Sequence, residues 1–302
     1  MPIAQRFGVT MQASPLLSIG LPVALIIIML GLGLSLKLED FTKFLSKPKP
    51  VVIGLACHLV ILPLLCLGFV WTMNLSPAAA VGMMLLAASP AGTSATIYTH
   101  LARGDVALSL TFAAVTTLLA IATIPLFSNG SMLLFYGEGS AVYLGFMQIL
   151  QFFAVAILPA MIGVLINSRY PALARRLDRP VKILAMVFLA AVVVFAIVGQ
   201  WSVVLVWAPV LGAIVLLFNL VTLAVGYLVP RMAGVERGQA VALAMSISIH
   251  NAAIVITLAL SEYLLNNAEM AIPPALYGVI AYVTAAIFVW VYNRRSAEPN
   301  PV

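Results

Sequence analysis

The sequence predicts an all-α polytopic membrane protein on three observations: scarce charge, apolar runs of membrane-spanning length, and basic residues gathered in alternate connections. Of its 302 residues, 64% are hydrophobic and only 8% charged, whereas a soluble domain carries about 25% charged residues. No soluble fold could hide that much apolar surface.

Nine apolar stretches run approximately 15 to 36, 50 to 73, 76 to 102, 106 to 128, 140 to 167, 183 to 199, 203 to 229, 238 to 261 and 272 to 293. About 20 apolar residues cross the hydrocarbon core as a helix, so each stretch is read as one span of a single transmembrane domain covering 1 to 302. Positive charge accumulates in short cytoplasmic loops. With nine spans, one side receives Lys37, Lys43, Lys47, Lys49, Arg103, Arg169, Arg175, Arg176, Arg179, Lys182, Arg231, Arg237, Arg294 and Arg295, and the other receives only Arg6. The expected arrangement in a bacterial-type inner membrane is therefore an outside N-terminus and a cytoplasmic C-terminus. The net charge of +6 is topogenic, set beside anionic lipid headgroups, and gives no argument for nucleic acid. The first apolar run, about 22 residues and followed by a Lys-rich loop, is long for a signal peptide and is read as a retained span.

Taken in order, the connection after span one, Leu38 to Lys49, alternates charge with Phe41, Phe44 and Leu45, as a short amphipathic surface helix does. In span two, Cys57 and Cys66 fall on opposite helix faces at about 100° per residue, as packing residues rather than a disulfide or a metal thiolate pair. Span three is interrupted by Ser89-Pro90-Ala91-Gly92-Thr93-Ser94, where Pro removes a backbone donor and Gly loosens the helix. Arg103-Gly104-Asp105 ends that span in a turn. A basic connection from Asn167 to Lys182 separates spans five and six. Span eight carries a second polar interruption, Ser246-Ile247-Ser248-Ile249-His250-Asn251, without Gly or Pro to enforce a break.

Unwound backbone at membrane depth must face protein or a wet cavity. Spans one to four and six to nine would then correspond, with a discontinuous helix third in each set. Their odd offset makes the second copy inverted. The core helices lie near 50 to 128 and 203 to 293, and the remainder form a panel. Paired interrupted segments in inverted halves mark the midplane site of a secondary transporter.

All nine acids, Glu39, Asp40, Asp105, Glu138, Asp178, Glu236, Glu262, Glu269 and Glu298, fall in connections or at span ends. Carboxylate-dyad hydrolysis and a carboxylate proton relay both need such groups near the reacting atoms, so no enzyme and no cofactor are expected. His58 and His250 lie well inside spans two and eight, where ionisable residues are functional candidates. The alternative for each is a neutral imidazole bonded within a helix interface, and for His100, near a span end, that plain alternative is preferred. A Zn²⁺ site on His58 and His250 would have two of the about four ligands usual for zinc. Ser109, Thr111, Thr116, Thr117 and Ser248 are expected to bond their own backbone. Thr93, Ser94 and Thr96 instead open a half-helix whose free donors suit an anion, with simple helix capping as the alternative.

Ser89-Pro90-Ala91-Gly92-Thr93 followed by Leu101-Ala102-Arg103-Gly104-Asp105-Val106-Ala107-Leu108-Ser109 resembles the central signature of the bile acid:sodium symporter family, approximately PGGT then LARGDVALS. LGLGLSLK from Leu30 to Lys37 and KPKPVVIGLACH from Lys47 to His58 are similar to that family's preceding helices. AMSISIHNAAIVITLAL, residues 244 to 260, resembles its second crossing helix, close to IEVGxQNxxLA. The resemblance covers most of residues 20 to 260, and the family's extra first helix has no counterpart here.

The resemblance implies two crossing discontinuous helices, a panel, and transport of an organic anion, here a small carboxylate rather than a bile acid. Thr93 and Asn251 match family positions implicated in substrate binding. Departures fall where the family holds sodium: Thr96 replaces an Asn, Ala95 a Ser, Ala113 a Thr, and Ser246 the crossing-helix Glu. Two Gln positions associated with a second sodium become His58 and His250. A hard cation wants oxygen ligands, which imidazole does not supply. Thr96, Ser109 and Ser246 could form only a weaker Na⁺ site, and H⁺ enters as the alternative coupling ion. A membrane-embedded binding or sensor protein of the same fold is the rival reading.

The distribution of Lys and Arg predicts that a tag after Val302 is protected in intact cells and one before Met1 is labelled from outside. Labelling of both tags from one side overturns the nine-span topology.

Overall fold

The computed structural model describes residues 15–42, 48–137, 144–199, 201–261 and 264–297. Arg6, Lys43, Phe44, Leu45, Lys47, Glu138, Glu262, Glu298 and both chain termini lie outside these residues. Every regular element among the described residues is a helix, with no strand.

α1 covers Pro15–Ser35 and α2 covers Leu38–Thr42, so the surface helix expected after span one is present as far as its description reaches. Asp40 starts it, its carboxylate accepting from the Lys37 N–H at 2.8 Å. Span two consists of α3 (Pro48–Ala56), a π-helical turn (Cys57–Ile61) and α4 (Leu62–Thr72). Span three is α5 (Pro77–Ala88) and α6 (Ala95–Leu101), and span four is α7 (Val106–Tyr136), opened by Asp105 accepting from the Leu108 N–H at 3.0 Å. Span five repeats the pattern of span two with α8 (Phe146–Phe152), a π turn (Phe153–Ile157) and α9 (Leu158–Arg169). In both, the π turn directly precedes a Leu-Pro pair, Leu62-Pro63 and Leu158-Pro159. Pro cannot donate to the turn before it and its ring crowds that turn, and a widened turn accommodates the defect without ending the span.

α10 (Pro171–Gly199) and α11 (Trp201–Met232) follow, then α12 (Arg237–Ser248), α13 (Ala252–Leu260), a 3-10 turn (Glu269–Ala271) and α14 (Ile272–Ala297). The basic connection from Asn167 to Lys182 is a correction: only Tyr170 separates α9 from α10, and the chain is helical again from Pro171. Pro is preorganised for a helix's first turn, so the basic residues ride on the start of α10.

Four helical stretches among the described residues are long and apolar enough to cross a membrane: Pro48–Thr72, Val106–Tyr136, Val210–Met232 and Glu269–Arg294. They coincide with expected spans two, four, seven and nine. Neither piece of the broken spans three and eight reaches about 20 residues, so each could cross only as a pair. The protein is a multi-pass membrane protein.

Close helix approach depends on small residues, because lipid offers no hydrophobic drive for helices to associate. α1 packs along α9 and α10. A Cβ on Gly33 would sit 2.0 Å from the Ala160 carbonyl oxygen, and one on Gly163 would sit 2.5 Å from that of Leu30. α11 packs on α12 and α14, while α5 packs on α7. Cys66 lies in the largest apolar cluster and Cys57 in a second one beside Phe112 and Leu243, both as free buried thiols. Ends that the expected alternation puts on one side are in contact: Ser76 Oγ donates to Glu269, Asp105 N donates to Gly238 O at 2.9 Å, and Asn293 Nδ2 donates to Leu101 O at 2.9 Å.

Gly33→Val is expected to destabilise the protein by more than the about 1–3 kcal/mol of ordinary overpacking, since backbone must move. Gly130 has open space for 4 Å around the place a Cβ would take, and should tolerate Ala with a gain of at most about 1 kcal/mol. Thermal unfolding in detergent checks both, and equal midpoints for the two variants would refute the close contact.

Candidate functional site

α5 stops at Ala88 because Ser89 precedes Pro90 and takes an extended conformation, φ −73° and ψ 150°, as residues before Pro do. α12 stops at Ser248, with Ile249 extended at φ −108° and ψ 91°. The break in span eight is therefore present, although its sequence lacks Gly and Pro. The two extended segments lie antiparallel and pair at Ala91 and His250. Gly92 N donates to Ile249 O at 2.7 Å, and Asn251 N donates to Pro90 O at 2.8 Å. Each unwound segment thus supplies the other with partners that water would supply in a soluble protein. Gly92 permits the approach, since a Cβ there would lie 3.2 Å from Ile249 O and 3.3 Å from His250 O.

Side chains satisfy what the crossing leaves open. Ser89 O accepts from His58 Nε2 at 3.0 Å and from His250 Nδ1 at 3.3 Å. Ser248 O accepts from Asn219 Nδ2 at 3.0 Å and from the Tyr277 hydroxyl at 2.8 Å. Ala91 N donates to Thr116 Oγ1 at 3.2 Å. The carbonyls that close α5 and α12 are thereby each held by two donors. Thr222 and Thr284 complete the second brace: the Thr222 hydroxyl lies 3.2 Å from that of Tyr277, and the Thr284 hydroxyl donates to Asn219 Oδ1.

A carbonyl oxygen only accepts, so the two ring nitrogens on Ser89 O both carry hydrogen. His58 is then the Nε2–H tautomer and His250 the Nδ1–H tautomer. Their other nitrogens, Nδ1 of His58 and Nε2 of His250, are buried lone pairs without a partner among the described residues. The residues are 1% and 5% exposed, and their rings stack with centroids 5.2 Å apart at 29°. Phe112 stands edge-on to His58 at 5.8 Å, and Tyr277 tilts against His250 at 5.4 Å.

The other expected site residues divide by partner. Ser109 Oγ and Ser246 Oγ meet at 2.9 Å, both fully buried. Thr96 Oγ1 donates to Thr93 O at 2.6 Å, so Thr96 ties its own half-helix start, while Thr93 stays partly exposed in the break. Ser94 Oγ lies 3.0 Å from the Tyr282 hydroxyl. Asn251 caps α13, its side-chain oxygen accepting from Ile254 N at 3.4 Å. An Asn ahead of the apolar run AAIVI is a helix-start signature that locates the second break without Gly or Pro. Thr116 bonds its own backbone at Phe112 O, 2.8 Å, as expected, yet also caps Ala91 N. No described group of three His, Cys, Asp or Glu could hold a metal ion, and the zinc idea on His58 and His250 gains no third such ligand. Sequence reasoning missed Asn219, Tyr277 and Thr284. The signal was a lone amide in the apolar run LLFNLVTL, since polar side chains inside membrane helices seek partners.

Residues 22–207 match the family model described as the sodium bile acid symporter family. The chain is 25% identical over 271 residues, 89% of its length and 81% of the relative's, to the uncharacterized sodium-dependent transporter YocS of Bacillus subtilis (strain 168). It is 28% identical over 276 residues, 91% of its length and 67% of the relative's, to a protein of Arabidopsis thaliana named as a probable chloroplastic sodium/metabolite cotransporter. Against the Homo sapiens protein named ileal sodium/bile acid cotransporter it is 25% identical over 284 residues, 92% of its length and 80% of the relative's.

Tyr277→Phe and Asn219→Leu each remove one of two donors to Ser248 O, at an expected cost of about 1 kcal/mol apiece. The double variant leaves a buried carbonyl without either donor and should cost more than the sum. Unfolding midpoints of the four proteins measure that coupling, and strict additivity would show that the shared carbonyl does not link the two side chains.

Proposed function

Because this chain belongs to the sodium bile acid symporter family, we propose that it carries a small organic anion, a short carboxylate, through the crossing of α5–α6 and α12–α13. The family is made up of transporters, and alternating access comes from one bundle rocking against the other. The observation that carries the proposal is the mutual hydrogen bonding of the two unwound segments, Gly92 to Ile249 and Asn251 to Pro90. Such a crossing brings α13's N-terminal end, whose dipole favours negative charge, to the middle of the protein. Thr93 and Asn251, one on each segment, are the proposed substrate contacts.

The paired braces support an inverted repeat within nine spans. His58, in span two, holds the carbonyl that closes α5, and Asn219, in span seven, holds the carbonyl that closes α12. Spans five apart thus do the same task. In this arrangement the N-terminus is outside and the C-terminus cytoplasmic, in the inner membrane.

The relatives' names point to sodium as the coupling ion. The Ser109–Ser246 pair, with Thr96, offers Na⁺ neutral oxygens only, so the proposed dependence on Na⁺ is weak. A specific observation favours H⁺ as a second coupling ion: the partnerless nitrogens of His58 and His250. A bare imidazole nitrogen is a proton acceptor. Burying a charged pair without a counterion is costly, so proton uptake and anion binding favour one another.

Uptake and counterflow of labelled short carboxylates in proteoliposomes test the proposal under separately imposed Na⁺ and pH gradients. Expected are exchange by the parent, stimulation by an inward proton gradient that His58→Gln and His250→Gln abolish, and at least tenfold losses in Thr93→Val and Asn251→Ala, with both variants folded and only Asn251→Ala losing the about 0.5–2 kcal/mol of a helix cap. Binding without exchange would make the protein a sensor of the same fold. Strong Na⁺ stimulation with no pH response would assign the coupling to the hydroxyls.

A further inference from the structure

A cleft of about 490 Å³ opens between the half-helix α6 and the C-terminal part of α14. Tyr98, Leu101, Ala286, Val289 and Trp290 form its apolar walls. Leu101 and Trp290 are more than half exposed on the outer surface of the bundle. In a multi-pass membrane protein that surface faces lipid, and the Arg294 end of the cleft reaches toward headgroup depth. α14 is 26 residues long, about 1.5 Å per residue, enough to cross an about 30 Å hydrocarbon core and enter the headgroup layer beyond it. Trp290 and Tyr292 near its end are the residue types that settle at that boundary.

Two polar residues line the end of the cleft nearest the C-terminus of α14. Asn293 is already committed, donating to Leu101 O at 2.9 Å and pinning the last turn of α6 to α14. Arg294 is not. Its guanidinium carbon lies 3.9 Å from the centre of the Trp290 ring, a stacking that uses the face of the cation and, among the described residues, leaves its N–H edges without an acceptor. No described carboxylate pairs with it.

We infer that this cleft is a binding site for one anionic phospholipid, with an acyl chain against the apolar walls and the phosphate on Arg294. The planar guanidinium matches a phosphate with two parallel hydrogen bonds. A soluble phosphate would use the cation and leave the apolar walls bare, while a zwitterionic lipid would bring its own cation to Arg294. The charge and the walls together select an anionic lipid.

The site bears on the crossing through its α6 wall. Tyr98 stacks with Tyr282, ring centroids 6.1 Å apart at 10°, and Tyr282 bonds Ser94, immediately before α6. A bound lipid thus holds the same half-helix that begins at the crossing. Lipid binding itself does not depend on what is transported.

Native mass spectrometry of the full-length protein in detergent, with added phosphatidylglycerol, phosphatidylcholine or glycerol 3-phosphate, tests the inference. Expected is one retained phosphatidylglycerol per chain, preferred about fivefold over phosphatidylcholine, the factor for one basic residue at an anionic surface. That preference should vanish in Arg294→Gln and persist in the control Arg176→Gln, while Trp290→Ala loses retention of both lipids at an unchanged unfolding midpoint. Equal retention of the two lipids by the parent, an undiminished preference in Arg294→Gln, or displacement of phosphatidylglycerol by glycerol 3-phosphate would overturn the assignment. So would a second copy of the chain, rather than lipid, on the peak that Trp290→Ala removes.

Discussion

Backbone amides and carbonyls buried at membrane depth must find partners within the protein, because the hydrocarbon core supplies none. Everything at the centre of this molecule follows from that constraint. Two helices stop in mid-chain, and the unwound residues Ser89 to Ser94 could not remain there alone. They are tolerated because Ile249 to Asn251 are unwound at the same place and run the opposite way, so that Gly92 and Asn251 donate across to Ile249 and Pro90. The carbonyls of Ser89 and Ser248 are then taken up by His58, His250, Asn219 and Tyr277. Removing one break would strand the other.

The same arrangement explains what kind of side chain occupies the centre. The braces must donate to carbonyls, which a carboxylate cannot do when ionised, and imidazole, amide and phenol do without carrying charge. The hydroxyls of Thr116, Ser109 and Ser246 fill the remaining polar space at little desolvation cost. The outcome is a crossing without a carboxylate among its braces: Asp40 and Asp105 start helices, Glu269 meets Ser76, and Asp178, on the first turns of α10, accepts from Ser35 Oγ. The N-terminal end of α13, which Asn251 opens at that crossing, is the feature that suits an anion, and it is the physical ground of the function proposed. At the periphery the chemistry changes: α6 and α14 turn apolar walls and a stacked arginine toward the lipid, and the half-helix that meets the membrane there is the one that starts at the crossing.

Helix packing elsewhere answers to the same medium. Gly33 and Gly163 bring the backbones of α1 and α9 into contact, and Pro63 and Pro159 are absorbed by π turns instead of ending their spans. Such devices keep long helices continuous where a break would have no partner.

By itself the sequence determined the helical class, the membrane setting, the place of the first break and the family resemblance. Those depend on local chemistry: apolar runs, Pro90 beside Gly92, and the exclusion of acids from the apolar runs are legible one residue at a time. Tertiary structure alone decided the rest. Span eight has neither Gly nor Pro at its interruption; Asn251 marks where α13 starts, but the unwound segment is held there by pairing with Pro90 to Gly92, a contact between parts of the chain far apart in sequence. Thr116 reads as a hydroxyl bonded to its own helix until Ala91 is placed beside it. Asn219, Tyr277 and Thr284 read as scattered polar residues until the carbonyl of Ser248 gathers them. The stretch after Asn167 reads as a loop from its charge, yet folds as the first turns of α10, since Pro171 starts a helix whose charged face has water beside it. Which polar group meets which depends on the three-dimensional path of both partners, and no local pattern carries that information.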